Sequence, residues 1–238
     1  MVNIVYLGIT SRCNFHCKHC YLTSNQKNRD MPSERIFSFL DECYEEGIFK
    51  VVYTHGEMFL HPQWSDVLTY AYKKHLTQNI LTNGYLITPK ICEQIEKNKV
   101  KKVILSLDSA RQDFHNKNRN NPHAWTGLLR GIEYLKKYTS TQLSLNSVLS
   151  AWTVNELKEM VDIAVSWNVP EIRFLPLHDD DIYFQGNKYH LLIEKFSELL
   201  DYSQSKECVV SIHDPLFSSI LRRRGYDLPI DICGAGSD

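Results

Sequence analysis

Strand-like and helix-like segments alternate from one end of this 238-residue chain to the other. A series of β-then-α units admits few folds, because it implies parallel strands joined by right-handed crossovers. Residues 4–10 read as the first strand, followed by strands at 49–54, 78–82, 103–107, 143–149, 171–175 and 209–213. Helices are expected over 32–47, 64–75, 89–97, 125–138, 154–167 and 189–202, with a last helical piece ending near Arg224. In the first of them Ile36, Phe37, Leu40 and Tyr44 share one face, Pro32 suits the first turn and Gly47 the end. Residues 111–121 are mostly polar and read as a loop. The strand cores (Val51 and Val52; Ile80 and Leu81; Val103, Ile104 and Leu105) suit strands covered on both faces. The class is therefore α/β. An open doubly wound sheet and a barrel both satisfy the pattern, and both bind ligands at the carboxyl ends of their strands.

Composition narrows the partners. Hydrophobic residues make up 43% and charged residues 23%, ordinary for one globular core. With 27 basic and 28 acidic residues the net charge is −1, so no overall field selects nucleic acid or an anionic membrane. No apolar run approaches the roughly 20 residues of a membrane span, and no basic segment followed by an apolar core marks a signal peptide. Seven cysteines are present. Three sit in one short loop, an arrangement that suits thiols kept reduced for metal binding in the cytoplasm. Cys43, Cys92 and Cys208 fall in or beside regular elements and read as small buried hydrophobes.

The clustered cysteines are Cys13, Cys17 and Cys20, spaced C-x3-C-x2-C. Three thiolates so placed can hold three irons of a [4Fe–4S] cluster and leave the fourth open to substrate, whereas electron-transfer clusters are closed by four cysteines. A rival is a zinc ion completed by His16 or His19, but structural zinc sites usually join two ligand pairs distant in sequence.

Three further segments follow at later strand ends. Thr54-His55-Gly56-Glu57-Met58-Phe59-Leu60-His61-Pro62 is similar to T-G-G-E-P-L-L-H-P, Leu81-Thr82-Asn83-Gly84 contains T-N-G, and Leu105-Ser106-Leu107-Asp108 contains S-L-D. Together with the cysteine loop they resemble, in order, the motifs of the radical S-adenosylmethionine (SAM) superfamily. The resemblance implies a partial (β/α)6 barrel of parallel strands, a [4Fe–4S] cluster on Cys13, Cys17 and Cys20, and SAM chelated to the open iron. It implies reductive cleavage of SAM to a 5′-deoxyadenosyl radical that abstracts hydrogen from substrate, with a flavodoxin or ferredoxin as electron donor.

The same resemblance places Phe15 as a shield over the cluster, and His19, where the family has a carbocyclic aromatic residue, near the adenine. It places the main chain at His55 and Gly56 and the carboxylate of Glu57 against the amino group of SAM, although His55 replaces a glycine and Met58 a proline. Asn83 borders the pocket. Ser106 and Asp108 alternate along the fourth strand and so share a face, suited to the ribose or the methionine part. Asn146 on the fifth strand touches SAM or else satisfies backbone groups. Asp179, Asp180 and Asp181 read as a solvated loop, and Arg222, Arg223 and Arg224 as a basic helix end.

The last residues include Cys233-Gly234-Ala235-Gly236. This resembles the start of the SPASM or twitch extension, so residues 1–224 are read as catalytic core and 225–238 as the start of that extension. Cys233 is then a ligand of an auxiliary [4Fe–4S] cluster completed by a longer chain. That branch implies a peptide or protein substrate. A small-molecule enzyme of cofactor biosynthesis and a non-enzymatic iron–sulfur or zinc sensor are the alternatives.

Overall fold

All seven expected strands form, and every pairing described is parallel. The computed structural model describes residues 3–22, 28–149, 153–176 and 188–228. Contacts divide the chain into two units. One comprises the described residues up to 106 with 116–143, the other residues 107–115 with 144 onward.

The first unit carries β1 (Ile4–Leu7), α1 (Ser33–Glu45), β2 (Lys50–Tyr53), α2 (Trp64–Lys73), β3 (Thr77–Thr82), α3 (Pro89–Lys97) and β4 (Lys102–Ser106). Its strands lie side by side in chain order. Val51, Ile80, Val103 and Leu105 are fully buried, as strands covered on both faces require. Buried Gln78 on β3 is satisfied, accepting from the Tyr53 hydroxyl at 2.9 Å and donating to the Leu68 carbonyl at 3.1 Å. α3 begins where the sequence marks it. At α3 the Thr88 hydroxyl accepts the Ile91 N–H at 3.3 Å, with Pro89 in the first turn.

α4 (Gln112–Arg119) corrects the expected loop at 111–121. It has no apolar stripe to announce it. Its only helical signature is charge order, with Asp113 in the first turn and Lys117 and Arg119 in the last, which suits the helix dipole. α5 (Ala124–Tyr138) follows and buries Leu128, Ile132 and Leu135. The first strand is also shorter than expected. It stops at Leu7, and Thr10 instead makes an isolated antiparallel bridge with Asp30.

The second unit carries most of β5 (Gln142–Leu149), with α6 (Leu157–Ser166), β6 (Glu171–Pro176), α7 (Lys188–Gln204), β7 (Val209–Ile212) and α8 (Pro215–Arg223). β5, β6 and β7 are adjacent in that order. Phe174 and Phe196 pack edge to face with centroids 5.5 Å apart in its core. Cys43, Cys92 and Cys208 are buried, as expected of packing residues. No helix among the described residues is long and apolar enough to cross a membrane. Asp179, Asp180, Asp181 and Cys233 lie outside the described residues.

Candidate active site

The loop after β1 is fixed before it reaches its first cysteine. The Thr10 hydroxyl donates to Asp30 Oδ1 at 2.6 Å and accepts the Arg12 N–H at 3.0 Å. The Ser11 N–H donates to the Arg29 carbonyl at 2.8 Å. The turn after β2 then lies directly on this segment. His55 and Gly56 both have left-handed backbones, with φ of 64° and 52°. A Cβ on Gly56 would stand 2.5 Å from the Arg12 carbonyl oxygen and 2.7 Å from that of Thr10, so only glycine permits the approach. The Glu57 N–H closes the contact by donating to the Arg12 carbonyl at 2.7 Å. The His55 ring meets Tyr21 edge to face, with centroids 5.2 Å apart.

Glu57 is fully buried. Its carboxylate accepts from the Thr82 hydroxyl at 2.8 Å and the Asn83 N–H at 3.0 Å. The side chain expected to face an ammonium thus ties the β2 turn to the end of β3. Asn83 in turn donates to Asn14 Oδ1 at 2.8 Å, and its Nδ2 lies 4.0 Å from Cys13 Sγ. Asn83 Oδ1 accepts the Tyr85 N–H at 3.0 Å, and Tyr85 meets the buried ring of Phe15 edge to face. Gly131 on α5 lets the helix back against this turn, since a Cβ there would lie 2.5 Å from the Gly84 carbonyl oxygen.

Cys13 and Cys17 are half-buried and Cys20 is exposed. Burial pushes the Cys13 thiol up to about 11, and the nearby charges of Glu57, Cys17 and Cys20 add to the shift. Metal binding there releases a proton, because the ligand is the thiolate. α4 supplies two residues that sequence reasoning missed. The Arg119 guanidinium donates to Cys17 Sγ at 3.6 Å, and Asn118 Nδ2 lies 3.1 Å from His19 Nδ1. Among the described residues, no three His, Cys, Asp or Glu side chains are gathered as a single metal ion requires. The donor set of three sulfurs fits the cluster. Asn14 Nδ2 is also buried without a hydrogen-bond partner, a donor left for an acceptor in this loop.

Phe15, His19, His55, Gly56, Glu57 and Asn83 thus meet the cysteine loop or its immediate supports within the first unit. Ser106 ends β4 half-buried. Asp108 lies past the strand end, so the alternation argument does not reach it; its N–H donates to His115 Nδ1 at 3.2 Å within the second unit. On β5, the Asn146 carbonyl accepts the Leu107 N–H at 2.9 Å, and its side-chain Oδ1 is buried without a partner.

Burial raises Glu57 from an ordinary 4.5 to about 7, partly offset by its bonds to Asn83, Thr82 and Phe59 and by the charge of Arg119. The folded chain therefore binds this proton more tightly than the unfolded chain. Stability from Glu57 is fully present below pH 4.5 and is lost as pH rises through 7. In urea unfolding of the cluster-free protein, wild type is expected to lose about 3 kcal/mol relative to Glu57→Gln across that window. A pH-independent difference between the two proteins contradicts this.

The family model described as the radical SAM superfamily matches residues 7–174. Radical SAM cyclopropyl synthase TigE of Paramaledivibacter caminithermalis is 24% identical over 258 residues, covering 98% of this chain and 54% of that protein. GTP 3′,8-cyclase of Clostridium acetobutylicum is 31% identical over 183 residues, covering 74% of this chain and 57% of that protein. The crystal structure of Streptococcus suis SuiB bound to precursor peptide SuiA matches with a TM-score of 0.76 at 14% identity, covering 96% of this chain and 53% of SuiB. At that identity the likeness is one of fold, and it bears out the expected fold class. The chain spans about half the length of the curated relatives it matches.

Proposed function

We propose that this chain, which belongs to the radical SAM superfamily, is the core of an enzyme that modifies a peptide or protein side chain. Members of the superfamily are enzymes that depend on a [4Fe–4S] cluster and SAM. Bound together, cluster and SAM supply one-electron cleavage of a carbon–sulfur bond of the sulfonium, and with it the radical that takes hydrogen from substrate.

The observation that carries the reading is the cysteine loop itself, with three sulfurs, no fourth cysteine within it, and a backbone clamped by the Gly56 turn. Cys13, Cys17 and Cys20 hold the cluster. Phe15 and Tyr85 keep water from one side of it. Gly56 lets main-chain groups of the β2 turn lie against the cysteine loop, where they would meet the amino group of SAM. Glu57 fixes that turn by accepting from Thr82 and Asn83. Asn83 and Ser106 would offer polar groups to the rest of SAM. A flavodoxin or ferredoxin supplies the electron.

The peptide reading draws support from the likeness to SuiB, solved with a precursor peptide. The rival, a small-molecule substrate, draws support from the similarity to a GTP cyclase. The full protein, reconstituted anaerobically with iron and sulfide and reduced, is expected to form 5′-deoxyadenosine from SAM. A peptide encoded beside its gene should raise that rate and lose a hydrogen or gain a cross-link by mass spectrometry. Stimulation by GTP or another nucleotide and none by peptide would favour the small-molecule reading.

A further inference from the structure

The last turn of α4 touches the cysteine loop at three points. The Lys18 N–H donates to the Asn118 carbonyl at 2.9 Å, occupying one of the acceptors a helix leaves open at its C-terminus. Asn118 Nδ2 and His19 Nδ1 are 3.1 Å apart. Arg119 Nη1 donates to Cys17 Sγ at 3.6 Å. Arg119 is only 8% exposed and Asn118 9%. A guanidinium with so little solvent is costly unless it meets electron-rich partners. Cys17 Sγ is such a partner, and a more strongly accepting one as a thiolate on iron.

We propose that Arg119 is a positioning residue that sets the reduction potential of the cluster through its hydrogen bond to Cys17. The proposal rests on the reading that Cys13, Cys17 and Cys20 hold a cluster. Reduction adds one negative charge. A fixed cation and an N–H···S bond stabilise the reduced form more than the oxidised form, so they raise the potential. The effect is strong where little water screens it. Without the guanidinium the cluster becomes harder to reduce. The sequence distance between Arg119 and Cys17 hides this pairing, because α4 alone brings them together.

Reconstituted wild type, Arg119→Gln and Arg119→Lys are compared by redox titration followed by electron paramagnetic resonance, with iron and sulfide measured per chain. Arg119→Gln is expected to keep its cluster but to hold about tenfold less of it reduced at a fixed potential, equivalent to a midpoint about 59 mV more negative. Arg119→Lys, which keeps the charge, recovers part of that loss. An unchanged midpoint in Arg119→Gln overturns the proposal. If that variant cannot hold a cluster, wild type carrying arginine labelled with heavy nitrogen decides the question. A labelled-nitrogen coupling to the reduced cluster in pulsed resonance supports the hydrogen bond, and its absence overturns it. A wild type with no iron and sulfide fails at the earlier step and overturns the cluster reading together with this one.

Discussion

Cys17→Ala is expected to abolish both the iron–sulfur chromophore and the formation of 5′-deoxyadenosine from SAM. Partners one shell out from a metal change affinity or activity by about 10- to 100-fold when lost, and removal of a ligand exceeds that. Two consequences follow from the geometry. On the proposed assignment, a cluster would lose one of its three anchors in a loop that supplies no substitute cysteine. The Arg119 guanidinium, bonded to Cys17 Sγ and 8% exposed, loses that sulfur as a partner. Cys92→Ala is the control. Cys92 is fully buried in α3 and serves packing, so its loss costs stability and leaves iron content and SAM cleavage unchanged. Iron, sulfide and product assays on both variants check this; retention of a full cluster by Cys17→Ala contradicts the ligand assignment.

Gly56→Ala is expected to be the most damaging single methyl group in the first unit. Its φ of 52° strains any Cβ, and that Cβ would lie 2.5 Å from the Arg12 carbonyl oxygen. The atom it strikes is backbone, one residue before Cys13, so relief of the clash moves the cysteine loop. Left-handed strain of about 1–2 kcal/mol and overpacking of about 1–3 kcal/mol together give about 3 kcal/mol, or a fall in Tm of about 6–12 °C. Gly47→Ala separates the two effects. Gly47 has a similar φ of 73° but nothing within 4 Å of its Cβ position, so it bears strain alone. Strain of about 1.5 kcal/mol alone gives an expected fall of about 3–6 °C, with normal cluster loading. Equal effects in the two variants, or normal loading in Gly56→Ala, contradict the account of the turn.

The sequence showed what depends on local signals. Strand cores such as Val51–Val52 and Ile80–Leu81 announce themselves by consecutive apolar residues, and α3 by Thr88 and Pro89. The cysteine loop, Gly56, Glu57 and Asn83 were readable because each falls at a strand end in a recognisable order. α4 was not, because its stability draws on charge order and side-chain bonds rather than an apolar face. Asn118 and Arg119 were hidden with it. The role of Thr82 as donor to Glu57 was equally hidden, since one buried carboxylate between two loops leaves no periodic trace. Asp108 lies beyond Ser106, where β4 ends, so strand alternation does not reach it.

The central claim is that three cysteines hold a cluster with one iron open to SAM. Electron paramagnetic resonance of the reconstituted, reduced protein with and without SAM tests it most directly. The account predicts a reduced [4Fe–4S] signal whose g values shift when SAM is added, and loss of that signal in Cys13→Ala, Cys17→Ala and Cys20→Ala. A full cluster whose spectrum ignores SAM, or zinc in place of iron in the protein as purified, would contradict it.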